Sequence, residues 1–281
     1  MNAKSILFAS LLALVVIPAA HCRDRFDREE IKRTFPAANI KRLLVDNISG
    51  AIVVIGKQTS EIRIVAKRTI QGESDEKIAE AKEDVKLELN QERDRLEIIV
   101  QAPWRTRDGV NWRGKEFYGY DVRYDFEIEV PQELVLFLRT VNEGDIDVQN
   151  VRGRFDFKNV NGAIAAKGLG AEGIAHTING PIDLSFIVAP HEKCSFKTIN
   201  GRIDAEFPKK FSAEMRFKTM NGKVYSDFEF EELGPESGTM ERKYGKRIYR
   251  RGENSRIRIG RGGPEMSFET LNGSINILKA K

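Results

Sequence analysis

Cysteine is almost missing from this chain: of its 281 residues only Cys22 and Cys194 carry a thiol, so no framework of internal disulfides can staple it. Histidine is nearly as scarce, with His21, His176 and His191 alone. That leaves little for a metal cluster or a general base, and no metal, cofactor or catalytic residue is expected. His176, in Ala175-His176-Thr177, reads as a strand residue, His191 after Pro190 as a solvated turn residue, and Cys194, in Cys194-Ser195-Phe196-Lys197, as a small strand residue. A charge excess is also missing, since 46 Lys and Arg face 42 Asp and Glu, which gives no reason to expect a nucleic-acid partner. Past the first residues no run approaches membrane-spanning length, so no transmembrane segment is expected in the mature chain.

What is present begins with the N-terminus. Lys4 precedes an uncharged run from Ile6 to Ile17 and then the small residues Pro18, Ala19 and Ala20, the order of a secretory signal peptide. Twelve apolar-rich residues fall short of the roughly 20 that cross a bilayer, and Arg23-Asp24-Arg25 follows at once. Residues 1–22 are therefore expected to be removed on export to the periplasm or cell surface. Cys22 stands where lipoproteins carry their acylated residue, although Ala19 and His21 fit a lipoprotein signal poorly; cleavage near Ala20 or Cys22 without acylation is the plainer reading. Removal leaves 45 basic against 42 acidic residues.

The main signal is internal repetition. Thr140-Val141-Asn142-Glu143-Gly144-Asp145-Ile146 is followed by Asn159-Val160-Asn161-Gly162-Ala163-Ile164, Thr177-Ile178-Asn179-Gly180-Pro181-Ile182, Thr198-Ile199-Asn200-Gly201-Arg202-Ile203 and Thr219-Met220-Asn221-Gly222-Lys223-Val224. A last copy, Thr270-Leu271-Asn272-Gly273-Ser274-Ile275, comes much later, and an imperfect early one is Asn47-Ile48-Ser49-Gly50-Ala51-Ile52. The central asparagines recur after 19, 18, 21 and 21 residues. The flanks alternate, with Ile203, Ala205 and Phe207 against Arg202, Asp204 and Glu206, so each unit reads as short strands with one buried face, joined by turns in which Asn and Gly tolerate positive φ.

Two all-β architectures satisfy this pattern. One is a single-stranded β-solenoid of about 20-residue coils. There Asn142, Asn161, Asn179, Asn200, Asn221 and Asn272, with Gly162, Gly180, Gly201, Gly222 and Gly273, would stack about 4.8 Å apart as a turn ladder, and the Thr side chains would tile the interior. The other is an antiparallel meander or sandwich in which each Asn-Gly closes a hairpin. We expect the solenoid. Residues 23–39 read as a linker, 40–281 as the β-strand-repeat domain, 140–228 as its regular part, 234–261 as a basic insertion and 262–281 as a final coil. One short helix is expected over 74–85, capped by Ser74 and with Ile78, Ala81 and Val85 on one side. A hairpin over Val85–Leu89 and Leu96–Val100 follows, and Val122–Val130 is a strand that stops at Pro131.

Phe126-Glu127-Ile128-Glu129-Val130-Pro131, the Thr-x-Asn-Gly-x-Ile units, and the stretch from Gly262-Gly263 to Leu271-Asn272-Gly273-Ser274-Ile275 together resemble the bacterial β-strand-repeat family called "putative adhesin". That family is related to the head domain of autotransporter-like adhesins named for a Gly-Ile-Asn pattern. The resemblance covers roughly residues 40–281 and implies an exported, right-handed β-helix-like repeat with no known cofactor and no catalytic residues to carry over. The stretch 234–261 departs from the family pattern.

Three surfaces are candidates for contact with an envelope protein, a glycan or an anionic lipid. The loop 103–124 holds Trp104, Trp112, Phe117, Tyr118, Tyr120 and Tyr124 among Arg105, Arg107, Arg113, Lys115 and Arg123; such rings can bind sugars or cap the open end of a stack, and the cap is the plainer reading. Between residues 241 and 261 nine bases, Arg247, Arg250 and Arg251 among them, face only Glu241 and Glu253 and could hold phosphates or form a solvated loop. The flat strand faces are the third. Three functions follow: a non-enzymatic adhesin, binding or scaffold module, which leads; a polysaccharide-degrading β-helix enzyme using Asp145, Asp147, Asp183 and Asp204, a row interrupted at Ala165, Tyr225 and Asn276; or an accessory of an envelope-stress signalling system. Mass spectrometry of the exported protein should give the mass of the cleaved, unacylated chain; added acyl mass on Cys22 would make it a lipoprotein instead.

Overall fold

The computed structural model describes residues 25–106, 109–111, 117–233, 239–243, 246–250 and 255–281. In chain order they form β1 (Arg25–Pro36), β2 (Arg42–Asp46), β3 (Ile52–Lys57), β4 (Glu61–Gly72), α1 (Asp75–Asp84), β5 (Lys86–Glu92), β6 (Arg95–Gln101), β7 (Arg105–Thr106), β8 (Gly109–Val110) and β9 (Tyr120–Pro131). Then come β10 (Val135–Arg139), β11 (Ile146–Gln149), β12 (Phe155–Lys158), β13 (Ile164–Leu169), β14 (Gly173–His176), β15 (Ile182–Phe186), β16 (Cys194–Lys197), β17 (Ile203–Phe207), β18 (Ala213–Thr219) and β19 (Val224–Ser226). The rest are β20 (Phe230–Glu232), β21 (Thr239–Lys243), β22 (Lys246–Arg250), β23 (Ser255–Ile259), β24 (Glu265–Thr270) and β25 (Ile275–Lys279).

From β9 to β19 the chain alternates between two large sheets, one strand to each in turn. The first sheet runs β1-β4-β9-β3-β11-β13-β15-β17-β25-β19-β22-β21 and the second β20-β23-β18-β24-β16-β14-β12-β10-β2-β6-β5. Successive repeats pair in parallel with equivalent residues opposite: Ile146 faces Ile164, Ile164 faces Ile182, Ile182 faces Ile203 and Ile203 faces Ile275. The antiparallel hairpin reading of the Asn-Gly turns is thereby corrected. Each of these turns carries the chain to the opposite sheet instead of back along its own, so two facing sheets remain of that alternative but not its antiparallel repeats.

Strict alternation of side chains builds the core. In β17 Ile203, Ala205 and Phe207 are buried while Asp204 and Glu206 are half-exposed, and β15, β24 and β25 follow the same rule. Phenylalanines form a continuous column between the sheets. Phe186 lies parallel to Phe207 at 5.1 Å and also meets Phe155 and Phe196 of the other sheet, while Phe268 touches Phe196 and Phe217 on either side. Buried aromatic pairs of this kind add roughly 0.5–1.5 kcal/mol each beyond the area they remove from water.

Spatial order departs from chain order at both ends of the stack. β2 and β3, first of the repeat strands, lie between β6 with β9 on one side and β10 with β11 on the other. Likewise β24 and β25, last in sequence, are inserted between β16 with β17 and β18 with β19. The final coil expected over 262–281 is therefore an interior one. Outside these inserted units each sheet changes to antiparallel pairing: β4 and β1 beyond β9, β5 beyond β6, β22 and β21 beyond β19, β23 and β20 beyond β18.

Residues 25–36, expected to be linker, form β1, paired along its whole length with β4. Its charges face outward, and an edge strand wet on most of its surface loses the alternation by which strands are recognised. Much of the stretch 234–261 is strand rather than loop: β22 and β21 end the first sheet, and β23 lies between β18 and the edge strand β20 of the second. The helix lies where its cap predicted, with the Ser74 hydroxyl accepting from the Lys77 amide and Ile78 and Ala81 buried. Because β24 and β25 bridge their neighbours, deleting residues 265–281 should free β18 and β19 as well, so limited proteolysis should cleave from about residue 208 onward. Loss of the deleted strands alone, with β18 and β19 still protected, would contradict the inserted order.

Candidate functional site

The turns that lead from the second sheet to the first align as one edge of the molecule. In each, the threonine hydroxyl donates to the glycine carbonyl one rung away: the buried Thr177 to Gly162, Thr198 to Gly180 and Thr270 to Gly201, all at 2.9 Å, and the half-buried Thr219 to Gly273 at 3.1 Å. Asn159 replaces threonine in its unit and donates to the Gly144 carbonyl at 2.9 Å. Thr140 donates to Gly50, and Asn47 of the early copy to Tyr124 and Gly50. The turn carbonyls of Gly50, Gly144, Gly162, Gly180, Gly201 and Gly273 are thus all satisfied.

The glycines serve close approach rather than positive φ. Gly162, Gly180, Gly201, Gly222 and Gly273 do not adopt the left-handed region, which corrects the reading of their role. A β-carbon at Gly201 would instead sit 2.0 Å from the Gly180 carbonyl oxygen, and one at Gly222 would sit 1.8 Å from that of Gly273. Outside this line run the asparagines. Asn161 donates to Asn142 at 3.1 Å, Asn179 to Asn161 and Asn200 to Asn179 at 2.8 Å, Asn272 to Asn200 at 2.7 Å, and Asn221 to Asn272 at 2.8 Å.

Sequence reasoning missed the residues between threonine and asparagine. Ile178, Ile199, Leu271 and Met220 stand in adjacent rungs at 41%, 36%, 40% and 59% exposure. Just before the threonines, on the outer face of the second sheet, Arg139, Lys158, His176, Lys197, Glu269 and Lys218 face one another rung by rung. The signal was present as a base, threonine, aliphatic, asparagine, glycine order, but only strand register shows that the bases align. A shallow hollow of about 210 Å³ opens beside Arg139 and Lys158, lined also by Leu44, Asp46, Phe137 and Asp156.

The other candidates separate on inspection. Trp104, offered as a ligand-surface residue, is only 3% exposed and packs against Tyr118 and Tyr120, so it caps the core; Tyr118 is half-buried beside it. A large ring beside an open stack end gains more from burial than from display. Trp112, Arg251 and Cys22 lie outside the described residues, and Arg247 and Arg250 fall on β22, whose side chains also lie outside them. Of the basic stretch, Arg256 and Arg258 are ion-paired with Glu214, and Arg258 also with Glu231.

Among the aspartates, register brings Asp183 and Asp204 together on neighbouring strands. Arg202 donates to both at 2.8 Å, and Asn276 donates to Asp204. Burial raises the Asp183 carboxyl above its usual range, with Arg202 opposing the shift. Asp145 accepts from the Ala163 amide and Asp147 from Gln149. His176 lies 3.0 Å from the Ser195 hydroxyl, and burial lowers its pKa, so the imidazole is neutral at pH 7. Burial pushes the Cys194 thiol up to about 11, which keeps it protonated and unreactive. Among the described residues no three His, Cys, Asp or Glu side chains gather to hold a metal, and no helix is long and apolar enough to cross a membrane.

No family model and no curated protein matches the chain. Solved structures similar to it include a "putative cell adhesion protein" from Clostridium sporogenes, at 10% identity and a TM-score of 0.40 over 90% of this chain and all of that one. A "putative adhesin" from Bacteroides fragilis matches at 10% identity and 0.39, and a "putative lipid binding protein" from Parabacteroides distasonis at 12% and 0.25, each over 90% of this chain and 97% of the other.

Replacing Thr198 by valine keeps the volume but leaves the Gly180 carbonyl buried without its donor. The expected cost is about 1–3 kcal/mol in urea unfolding, recovered by serine. An unchanged midpoint in the valine variant would show that the hydroxyl contributes nothing.

Proposed function

We propose that the chain is an exported, non-enzymatic binding or scaffold module of the bacterial envelope, its two sheets wound as a right-handed β-solenoid. The observation that carries this reading is that the groups best suited to chemistry are already engaged: Asp183 and Asp204 share Arg202, and Cys194 is buried and protonated. What the molecule offers outward is a periodic surface. The winding is supported by the parallel, in-register pairing of successive repeats across two sheets, and the hand by the strong preference of parallel crossovers for the right-handed path. Export rests on the order of residues 1–22, and the likeness to autotransporter-like adhesin heads on the Thr-x-Asn-Gly-x-Ile units.

The polysaccharide-cleaving alternative retains one specific observation, the Asp183 and Asp204 pair, and a role in envelope-stress signalling none. The purified exported protein should bind isolated bacterial envelopes saturably and release no reducing ends from their glycans. Release of reducing ends, abolished by Asp183→Asn, would overturn the proposal in favour of the enzyme.

A further inference from the structure

Two local arrangements along the turn edge are unfavourable for an isolated soluble surface. The first is the cation row. Arg139 lies directly opposite Lys158 at the roughly 4.8 Å spacing of paired strands, and Lys197 and Lys218 continue the row with His176 and Glu269 interposed. Like charges placed directly across a strand pair repel and destabilise it. Among the described residues two acids answer these cations: Asp156 pairs with Lys158, and Glu269 is shared between Lys197 and Lys218. Arg139 bonds to no acid among the described residues, its register neighbour Asp46 being held by Arg105.

The second is the aliphatic row of Ile178, Ile199, Leu271 and Met220, two residues beyond that row and in register with it. Its amides and carbonyls are engaged between rungs, as in Asn200 to Ile178 and Asn272 to Ile199, so the backbone presents the side chains in a straight line. With Val160 the line spans five rungs, about 19 Å at the strand spacing. It carries no aromatic ring, which a sugar-binding surface would use for stacking.

We propose that this edge docks on the surface of an anionic phospholipid bilayer. The aliphatic side chains would enter the boundary between headgroups and acyl chains, while Arg139, Lys158, Lys197 and Lys218 remain at phosphate level on their long stems. One surface relieves both arrangements, because phosphates neutralise the stacked cations and the acyl boundary covers the exposed aliphatics. This inference rests on the binding-module reading and names its partner.

The test is flotation of the purified exported chain with vesicles of pure phosphatidylcholine or of phosphatidylcholine with phosphatidylglycerol. Binding should require phosphatidylglycerol and weaken with added salt. Each of Lys158→Gln, Lys197→Gln and Lys218→Gln should reduce it about fivefold. The exposed-site change Ile199→Asp should reduce it at least tenfold with unfolding unchanged. Equal binding to neutral vesicles, or none to either, would overturn the proposal, and retention on whole envelopes despite that failure would leave the binding module intact with another partner. Self-association in sedimentation, abolished by Ile199→Asp with no vesicle binding, would instead assign the edge to a second copy of the chain.

Discussion

The structure depends on how closely its turns approach one another. A threonine hydroxyl can reach the glycine carbonyl of the adjacent rung only if nothing but hydrogen stands on the glycine α-carbon, and a β-carbon there would lie about 2 Å from that oxygen. Everything else in the repeat follows from this fit. The asparagines fall into bonding distance because the glycines do, and the isoleucines behind them bury in register because the asparagines align. An unpaired carbonyl inside this edge would carry a desolvation cost comparable to the net gain of several surface contacts.

The same fit explains why the edge became a surface with distinct stripes. A solvent-facing strand would ordinarily mix charge signs between neighbours, but repetition in register copies whatever residue type one unit carries into its neighbours. A base just ahead of the turn, present in four of the six rungs from Arg139 to Lys218, becomes a cation-rich row; an aliphatic residue two places on becomes an aliphatic line. The two faces of the stack differ in consequence: on the first sheet the corresponding copies are aspartates that share an arginine, and their charge is spent internally.

The repeat, its alternation and the helix were legible because each is written in short-range pattern: identical turn residues, period-two burial, and a serine ahead of acids. The position of β24 and β25 was not, because Thr270-Leu271-Asn272-Gly273 has the same pairing chemistry as every other unit and fits any rung equally well on local grounds. β1 escaped notice for the opposite reason, since an edge strand bearing charges on most positions shows no burial pattern at all. Trp104 and Tyr118 could be read as a platform or a cap from composition, and only packing against Tyr120 decides between them. The lysine row required knowing which strands are neighbours.

The interleaving of the first and last units with their neighbours has an evolutionary corollary. Both closures of the stack are built from segments that leave and re-enter, so each terminus is a self-contained clasp, whereas the units between Asn142 and Asn200 succeed one another in simple chain order. A tandem duplication or loss of about 20 residues in that middle stretch changes the length of the molecule without disturbing either clasp. Variation in reach should therefore accumulate there, and the lengthened edge would extend both stripes by one further step.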